Sequence, residues 1–190
     1  IDLDNKTFYE KLATSPVPPK TSTPSIEAFR EAYEKAIANG ATEILSVHIS
    51  GALSGTLNTA TLAAKQLNED RERAKKPPIT FEMVDSRTVS AGFGYPVLLA
   101  AQRAKDGATL RDLAAFVQRI SEGSKTFFLL DTLEYLQKGG RIGKAAEIFG
   151  TLLSIKPILA IHDGTVVPLE RVRTRNKALG RMGDLVRAIG

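Results

Sequence analysis

The chain has 190 residues, enough for one well-filled core or for one domain with part of another. Hydrophobic residues make up 43% and charged residues 25%, the balance of an ordinary soluble globular protein, and no run reaches the roughly 18 apolar residues of a membrane span. Zero cysteine excludes disulfides, thiolate nucleophiles and cysteine-bound zinc, and two histidines, His48 and His162, leave little for a metal centre, so a cytoplasmic protein without redox or zinc chemistry is expected.

The formal charge of +5 is uneven, because residues 120–190 hold 11 Lys and Arg against 7 Asp and Glu. A basic C-terminal third suits phosphate groups or an acidic partner, and suits a plain solvated face equally well.

Residues 1–14 predict a short helix with Thr7 and Glu10 at capping-box spacing and with Phe8, Tyr9 and Leu12 as its apolar positions. Nothing there opens a domain, so a chain lacking its start is expected. Pro16, Pro18 and Pro19 hold residues 15–20 extended, since each ring fixes φ and turns the preceding residue away from helix. They deliver Thr21-Ser22-Thr23 to a helix that opens at Pro24 or Ile26, capped by Thr23 or Ser25 and closed by Asn39-Gly40. Capping takes one hydroxyl and leaves Thr21 and Ser22 able to face a ligand.

Ile44, Leu45, Val47 and Ile49 predict a buried strand of a parallel sheet. Ser50-Gly51 and Ser54-Gly55 then supply turn chemistry, and Leu57, Ala60, Ala64 and Leu67 recur at helical spacing. Strand, small-residue loop and helix in that order aim hydroxyls and unpaired N–H groups at one spot beyond the carboxyl end of a strand, where an anion is stabilised. Further on, Ile79–Val84 predicts a second strand, 89–105 and the stretch opened by Thr109 predict helices, and Thr126–Leu130 predicts a third strand. Strand and helix therefore alternate to about residue 130, as in a parallel sheet with helices on both faces. Past it come a short helix at 131–137, a Gly139-Gly140 turn, a helix at 142–153 carrying Ile148, Phe149 and Leu152, and a hairpin of 157–161 with 166–169 turned by Asp163-Gly164. A helix over 176–189 ends the chain. This reading places an α/β domain at 1–125 and a smaller α+β domain at 126–190, the latter cut short at its C-terminus.

Three chemistries fail on spacing. A nucleophile elbow needs its serine one place earlier than Ser54 in Gly51-Ala-Leu-Ser54-Gly55, and no downstream Asp then His pair is well marked. His48, inside an apolar strand, reads as a packed residue rather than a base. Gly92-Phe-Gly94 lacks the third glycine of a dinucleotide loop, and Gly139–Ala145 is one residue short of a phosphate loop and has Ala where Mg²⁺ needs Ser or Thr. No catalytic residue and no metal ligand is assigned. A phosphate-binding or nucleic-acid-binding regulatory module using the Arg171–Arg181 cluster is the competing reading, weakened by the lack of helix-turn-helix or aromatic-basic signatures, so nucleic acid is not the expected partner.

His48-Ile-Ser-Gly-Ala-Leu-Ser-Gly-Thr56, preceded by Lys20-Thr-Ser-Thr-Pro-Ser25 and followed by Val84-Asp-Ser86, Leu130-Asp-Thr-Leu-Glu-Tyr-Leu-Gln-Lys-Gly-Gly-Arg-Ile142 and Ile155-Lys-Pro-Ile158, resembles the DegV family over nearly the whole chain. Members of that family bind a long-chain fatty acid, so the resemblance implies such a ligand and no cofactor. A fatty acid asks for one anionic grip and a long apolar channel. Hydroxyls of Thr21, Ser22 and Ser54, with the N–H groups of Gly55 and Thr56, are suitable donors for the carboxylate, with the tail expected in an apolar tunnel between the domains. The first hydroxyl of the Thr21-Ser22-Thr23 motif is the one the resemblance places on the carboxylate.

Some DegV-like proteins also serve as the lipid-carrying subunit of a bacterial fatty-acid kinase and offer the carboxylate to a separate ATP-binding subunit. That implies a non-catalytic role here, transient membrane contact for lipid exchange, and cations for phosphate or partner at Arg141, Arg173 and Arg175. The family further has an N-terminal strand with an Asp-Ser-Thr type motif and a C-terminal His near the carboxylate, neither of which lies in this sequence.

Overall fold

The structure, a computed structural model, describes residues 3–151 and 155–189. It begins with α1 (Asn5–Thr14), then the Pro-rich extended segment, α2 (Ile26–Ala38), β1 (Glu43–His48), α3 (Thr56–Arg73), β2 (Thr80–Asp85), α4 (Ser90–Lys105) and α5 (Leu110–Gly123). There follow β3 (Thr126–Leu129), α6 (Glu134–Lys138), a 3-10 helix (Gly143–Thr151), β4 (Lys156–His162), β5 (Thr165–Val172) and α7 (Arg175–Arg187).

Strands β1 and β2 pair in parallel, from Glu43 opposite Thr80 to His48 opposite Asp85. Side chains alternate across this sheet, and the two faces have different cores. Ile44 and Phe81 face α2 and α3, where Tyr33, Ala63, Ala64, Leu67 and Ile79 are buried. Leu45 and Val47 face α4 and α5, over Val84, Ala100, Leu113, Phe116 and Val117. Alanines at 60, 63 and 64 let α3 lie close on the sheet, which fixes where its N-terminus points.

The second sheet is antiparallel, in the order β3-β4-β5. Here the expectation from alternation fails: β3 is not a third parallel strand but pairs with β4, Thr126 opposite Ile161 and Leu129 opposite Ile158. An apolar tetrapeptide carries no mark of which sheet it joins, and the apolar partner offered by β4 decided it. Asp163 and Gly164, at φ +49° and +76°, turn β4 into β5 as the Asp-Gly signal predicted. Leu133, Ile142, Ala145, Ile148, Leu159 and Val166 form the core of this half, and Leu53 from the first half packs against it.

Two smaller expectations are also corrected. Asp4, not Thr7, caps α1, accepting the Thr7 N–H at 2.9 Å, because its carboxylate stands one position before the first helical residue. The stretch 143–151 is 3-10 rather than α-helical: Gly143 has φ +54° and lies against the Val166 backbone, so the chain starts this turn already tightened onto β5. Leu152, predicted as an apolar position of that helix, lies outside the described residues. The helices expected over 26–38, 56–73, 89–105 and 110–123 are present, with Ser25 and Thr109 as the side-chain caps of α2 and α5.

Candidate functional site

The loop 50–55 leaves the carboxyl end of β1 and enters α3 at Gly55. Its root is held by the end of β2 and the loop that follows it. The Ser50 N–H donates to the Thr88 carbonyl at 2.9 Å, and the Gly51 N–H is shared between both carboxylate oxygens of Asp85 at 3.2 Å each. The N–H groups of Leu53 and Ser54 then fold back onto the Ser50 carbonyl at 3.0 and 3.1 Å. The result is a tight crook whose outer limb is the first turn of α3.

That turn is open. Gly55 is the N-cap and offers no side chain, and the N–H groups of Gly55, Leu57 and Asn58 have no acceptor among the described residues. Ser54 Oγ lies 2.5 Å from Thr56 Oγ1 and accepts the Thr56 N–H at 3.3 Å, so the two hydroxyls share one proton-donating position directed by each other. Three unpaired donors at the start of an 18-residue helix add a positive dipole end to those hydroxyls. The arrangement is suited to one small anion.

The segment before α2 comes to the same place. Thr23 is close enough that a Cβ on Gly55 would lie 3.7 Å from its methyl carbon. Ser25 caps α2, and the hydroxyls of Thr21, Ser22 and Thr23 have no hydrogen-bond partner among the described residues, as the surplus of hydroxyls over capping positions predicted. The sequence leaves the cap open between Thr23 and Ser25, and Ser25 takes it. The structure frees Thr23 and sets it against Gly55.

Arg141 joins these elements from the loop after α6. Its Nε donates to the Leu53 carbonyl at 3.0 Å and its Nη1 to the Gly139 carbonyl at 2.6 Å, so the guanidinium is a strut across the crook that has no carboxylate partner among the described residues. Arg141 also lines a cavity of about 490 Å³, together with Thr21, Lys20, Tyr135 and Lys138 and the apolar Phe8, Leu12 and Pro18. Lys138 is held by Glu134 at 2.5 Å, and that carboxylate keeps its ammonium above the ordinary lysine range. A mixed cavity of this size, apolar with a few convergent cations, is of ligand-binding dimensions. Lys20, Tyr135 and Lys138 stand in the motifs that carry the resemblance but were given no role there, because their nearness to Phe8 and Leu12 depends on segments distant in the chain.

Arg173 and Arg175 are placed elsewhere. They follow β5, whose eight residues span about 26 Å from the hairpin turn that meets the crook. Arg175 is paired with Asp131 at 2.8 Å, whereas Arg173 has no ion pair among the described residues. His48 is buried and uses Nε2 on Ser46 Oγ at 2.8 Å, which in turn meets the Tyr33 hydroxyl at 2.9 Å. Burial holds the His48 imidazole below its ordinary value, with the Asp85 carboxylate pulling weakly the other way. Among the described residues no group of three or more His, Cys, Asp or Glu is placed to hold a metal ion, and no helix is long and apolar enough to cross a membrane.

A family model described as "Uncharacterised protein, DegV family" matches residues 1–189. The chain belongs to the DegV family. A DegV domain-containing protein of Clostridium perfringens is 35% identical over 187 residues, covering 98% of this chain and 64% of its own length. Among solved structures, a DegV family protein from Thermus thermophilus, described by its fatty acid binding, superposes with a TM-score of 0.86 at 34% identity, over 99% of this chain and 63% of that one. A fatty acid binding DegV family protein from Streptococcus agalactiae gives 0.84 at 31% identity, over 98% of this chain and 63% of that one. The chain thus spans less than two thirds of the length of these DegV relatives.

Proposed function

We propose that this chain binds a long-chain fatty acid, as the Thermus and Streptococcus DegV proteins are described as doing, with the carboxylate at the start of α3. The observation that supports the reading is the set of unpaired donors there, the N–H groups of Gly55, Leu57 and Asn58 and the Ser54–Thr56 hydroxyl pair, with Thr23 beside Gly55. A carboxylate taken from water without hydrogen bonds costs several kcal/mol, and these donors offset that cost. The tail provides affinity, since about 0.8 kcal/mol per buried CH₂ gives a sixteen-carbon chain on the order of 10 kcal/mol before binding costs. The cavity between α1 and α6, which shares Thr21 and Arg141 with the head-group region, is the space from which the tail would enter the gap between the two domains.

The protein is a carrier in this reading and performs no bond chemistry itself. It would act in the cytoplasm and present the bound acid to a separate ATP-binding kinase subunit for acyl-phosphate formation, exchanging lipid through brief membrane contact. Arg141 beside the crook and the unpaired Arg173 at the far end of the second sheet are the cations offered to phosphate or partner, with Arg175 already engaged by Asp131. The competing nucleic-acid reading loses ground on the same count, because Arg181 is spent on Glu170 through three hydrogen bonds and Arg175 on Asp131.

Mass spectrometry of purified protein after organic extraction tests the proposal. Near-stoichiometric fatty acid is expected from the wild type. Ser54→Ala, which removes one hydroxyl of the pair, is expected to lower retained acid about tenfold, the cost of a charge-assisted hydrogen bond. Equal lipid in both proteins would refute the assigned grip.

A further inference from the structure

We propose that the tip of the β4–β5 hairpin is the positioning element of the crook, and that Ser50 and Gly164 are the positioning residues through which the second domain sets its preference for a charged head group. This inference rests on the fatty-acid reading above.

The first domain anchors the root of the crook at Ser50 and Gly51, and the N–H groups of Ala52, Leu53 and Ser54 all turn back onto Ser50 itself. Ser50 and Leu53 are in turn restrained from the other domain. The Ser50 hydroxyl donates to the Gly164 carbonyl at 2.7 Å, across 114 positions of sequence, and accepts the Ala52 N–H at 3.2 Å. The side chain is 1% exposed, so no bulk water competes for either bond. One hydroxyl thereby ties the loop backbone to the hairpin tip.

Gly164 allows this approach. Its φ is +76°, and a Cβ on it would stand 2.5 Å from Ser50 Oγ and 3.7 Å from the Ala52 methyl. Beside it Asp163 meets Arg87 at 3.4 Å, a tether from the hairpin back to the loop after β2. Leu53 buries its side chain in the second core while its carbonyl is held by Arg141. Ser50 and Leu53 are therefore gripped from the second domain, and Ala52 through Ser50, immediately before Ser54.

Hydrogen bonds to a carboxylate weaken over a few tenths of an ångström and a few tens of degrees, so a loosened tip misaims the Ser54 hydroxyl and the Gly55 N–H. It does not change the apolar walls that hold a tail. The selectivity between a fatty acid and its uncharged ester is then a property of the hairpin contact, whereas the affinity common to both is not.

The test is competitive displacement of a fluorescent lipid by palmitate and by methyl palmitate. The wild type is expected to prefer palmitate. Ser50→Ala is expected to weaken palmitate about tenfold with methyl palmitate within about twofold of wild type, which collapses the preference. Gly164→Ala is expected to act in the same direction and to add little in the Ser50→Ala background, since the two share one contact. Arg87→Gln, a change at an exposed pair without risk to folding, is expected to give a smaller loss of preference of the same sign. A preference unchanged in Ser50→Ala and Arg87→Gln, or equal weakening of acid and ester, would overturn the positioning role. A wild type that does not distinguish the two ligands would instead overturn the fatty-acid reading itself.

Discussion

His48 shows how one residue type supports opposite readings until its neighbours are known. Beside a serine-rich loop it resembles a base, yet its ring is 5% exposed, lies edge-on to Phe29 at 5.7 Å, and closes a chain from Tyr33 through Ser46. The apolar strand pattern around it already pointed to a packed residue, and the geometry agrees. Its depressed pKa has a definite consequence for stability. Above about pH 6.5 the ring is neutral in both folded and unfolded chains and has no effect. Below that the unfolded chain takes up a proton more readily, so folding stability attributable to His48 falls as pH drops through the unfolded value towards the lower folded one. Urea unfolding at pH 7.5 and pH 5.5 is expected to show a smaller loss in His48→Gln than in wild type. The same loss in both would show that His48 is not the group responsible. Ser50 is the contrasting case: its partner Gly164 is 114 positions away, and no local pattern announces such a contact.

At the scale of elements, local chemistry was most informative where a single residue imposes a backbone shape. Asp163-Gly164 turned as expected because both positions require positive φ, and Ser25 and Thr109 capped as expected because their hydroxyls replace missing helical acceptors. It was least informative where tertiary packing decides. The strand Thr126–Leu129 joined the antiparallel sheet, and the segment after Gly140 tightened into a 3-10 turn against β5. Gly143 is the residue on which that second outcome turns. It has φ +54°, and a Cβ there would fall on the Val166 carbonyl oxygen, which is backbone and has no rotamer to yield. Gly143→Ala is therefore expected to destabilise the protein by about 2–4 kcal/mol, well above the roughly 1 kcal/mol of losing the cap in Ser25→Ala. Paired denaturant midpoints measure both, and a Gly143→Ala midpoint at or above that of Ser25→Ala would contradict the close approach.

At the scale of the molecule, two sheets of different kind meet along one seam. Leu53 enters the second core, Thr88 and Thr126 join hydroxyls at 2.9 Å, and the hairpin tip sits on Ser50. The sequence disclosed the crook itself, since strand, Ser-Gly loop and helix are written in adjacent residues. It could not disclose that Arg141 acts as a strut, that Thr23 stands free beside Gly55, or that α1 closes a cavity over α6, because each depends on elements distant in the chain.

The central claim is that a carboxylate sits on the first turn of α3, where the unpaired N–H groups and the Ser54–Thr56 hydroxyl pair stand together. Amide proton and nitrogen spectra of the protein titrated with palmitate test it most directly. The account predicts that the largest shifts fall on the N–H groups of Gly55, Thr56, Leu57 and Asn58, and that methyl palmitate leaves those four nearly still. Saturable palmitate binding with these amides unmoved would contradict it.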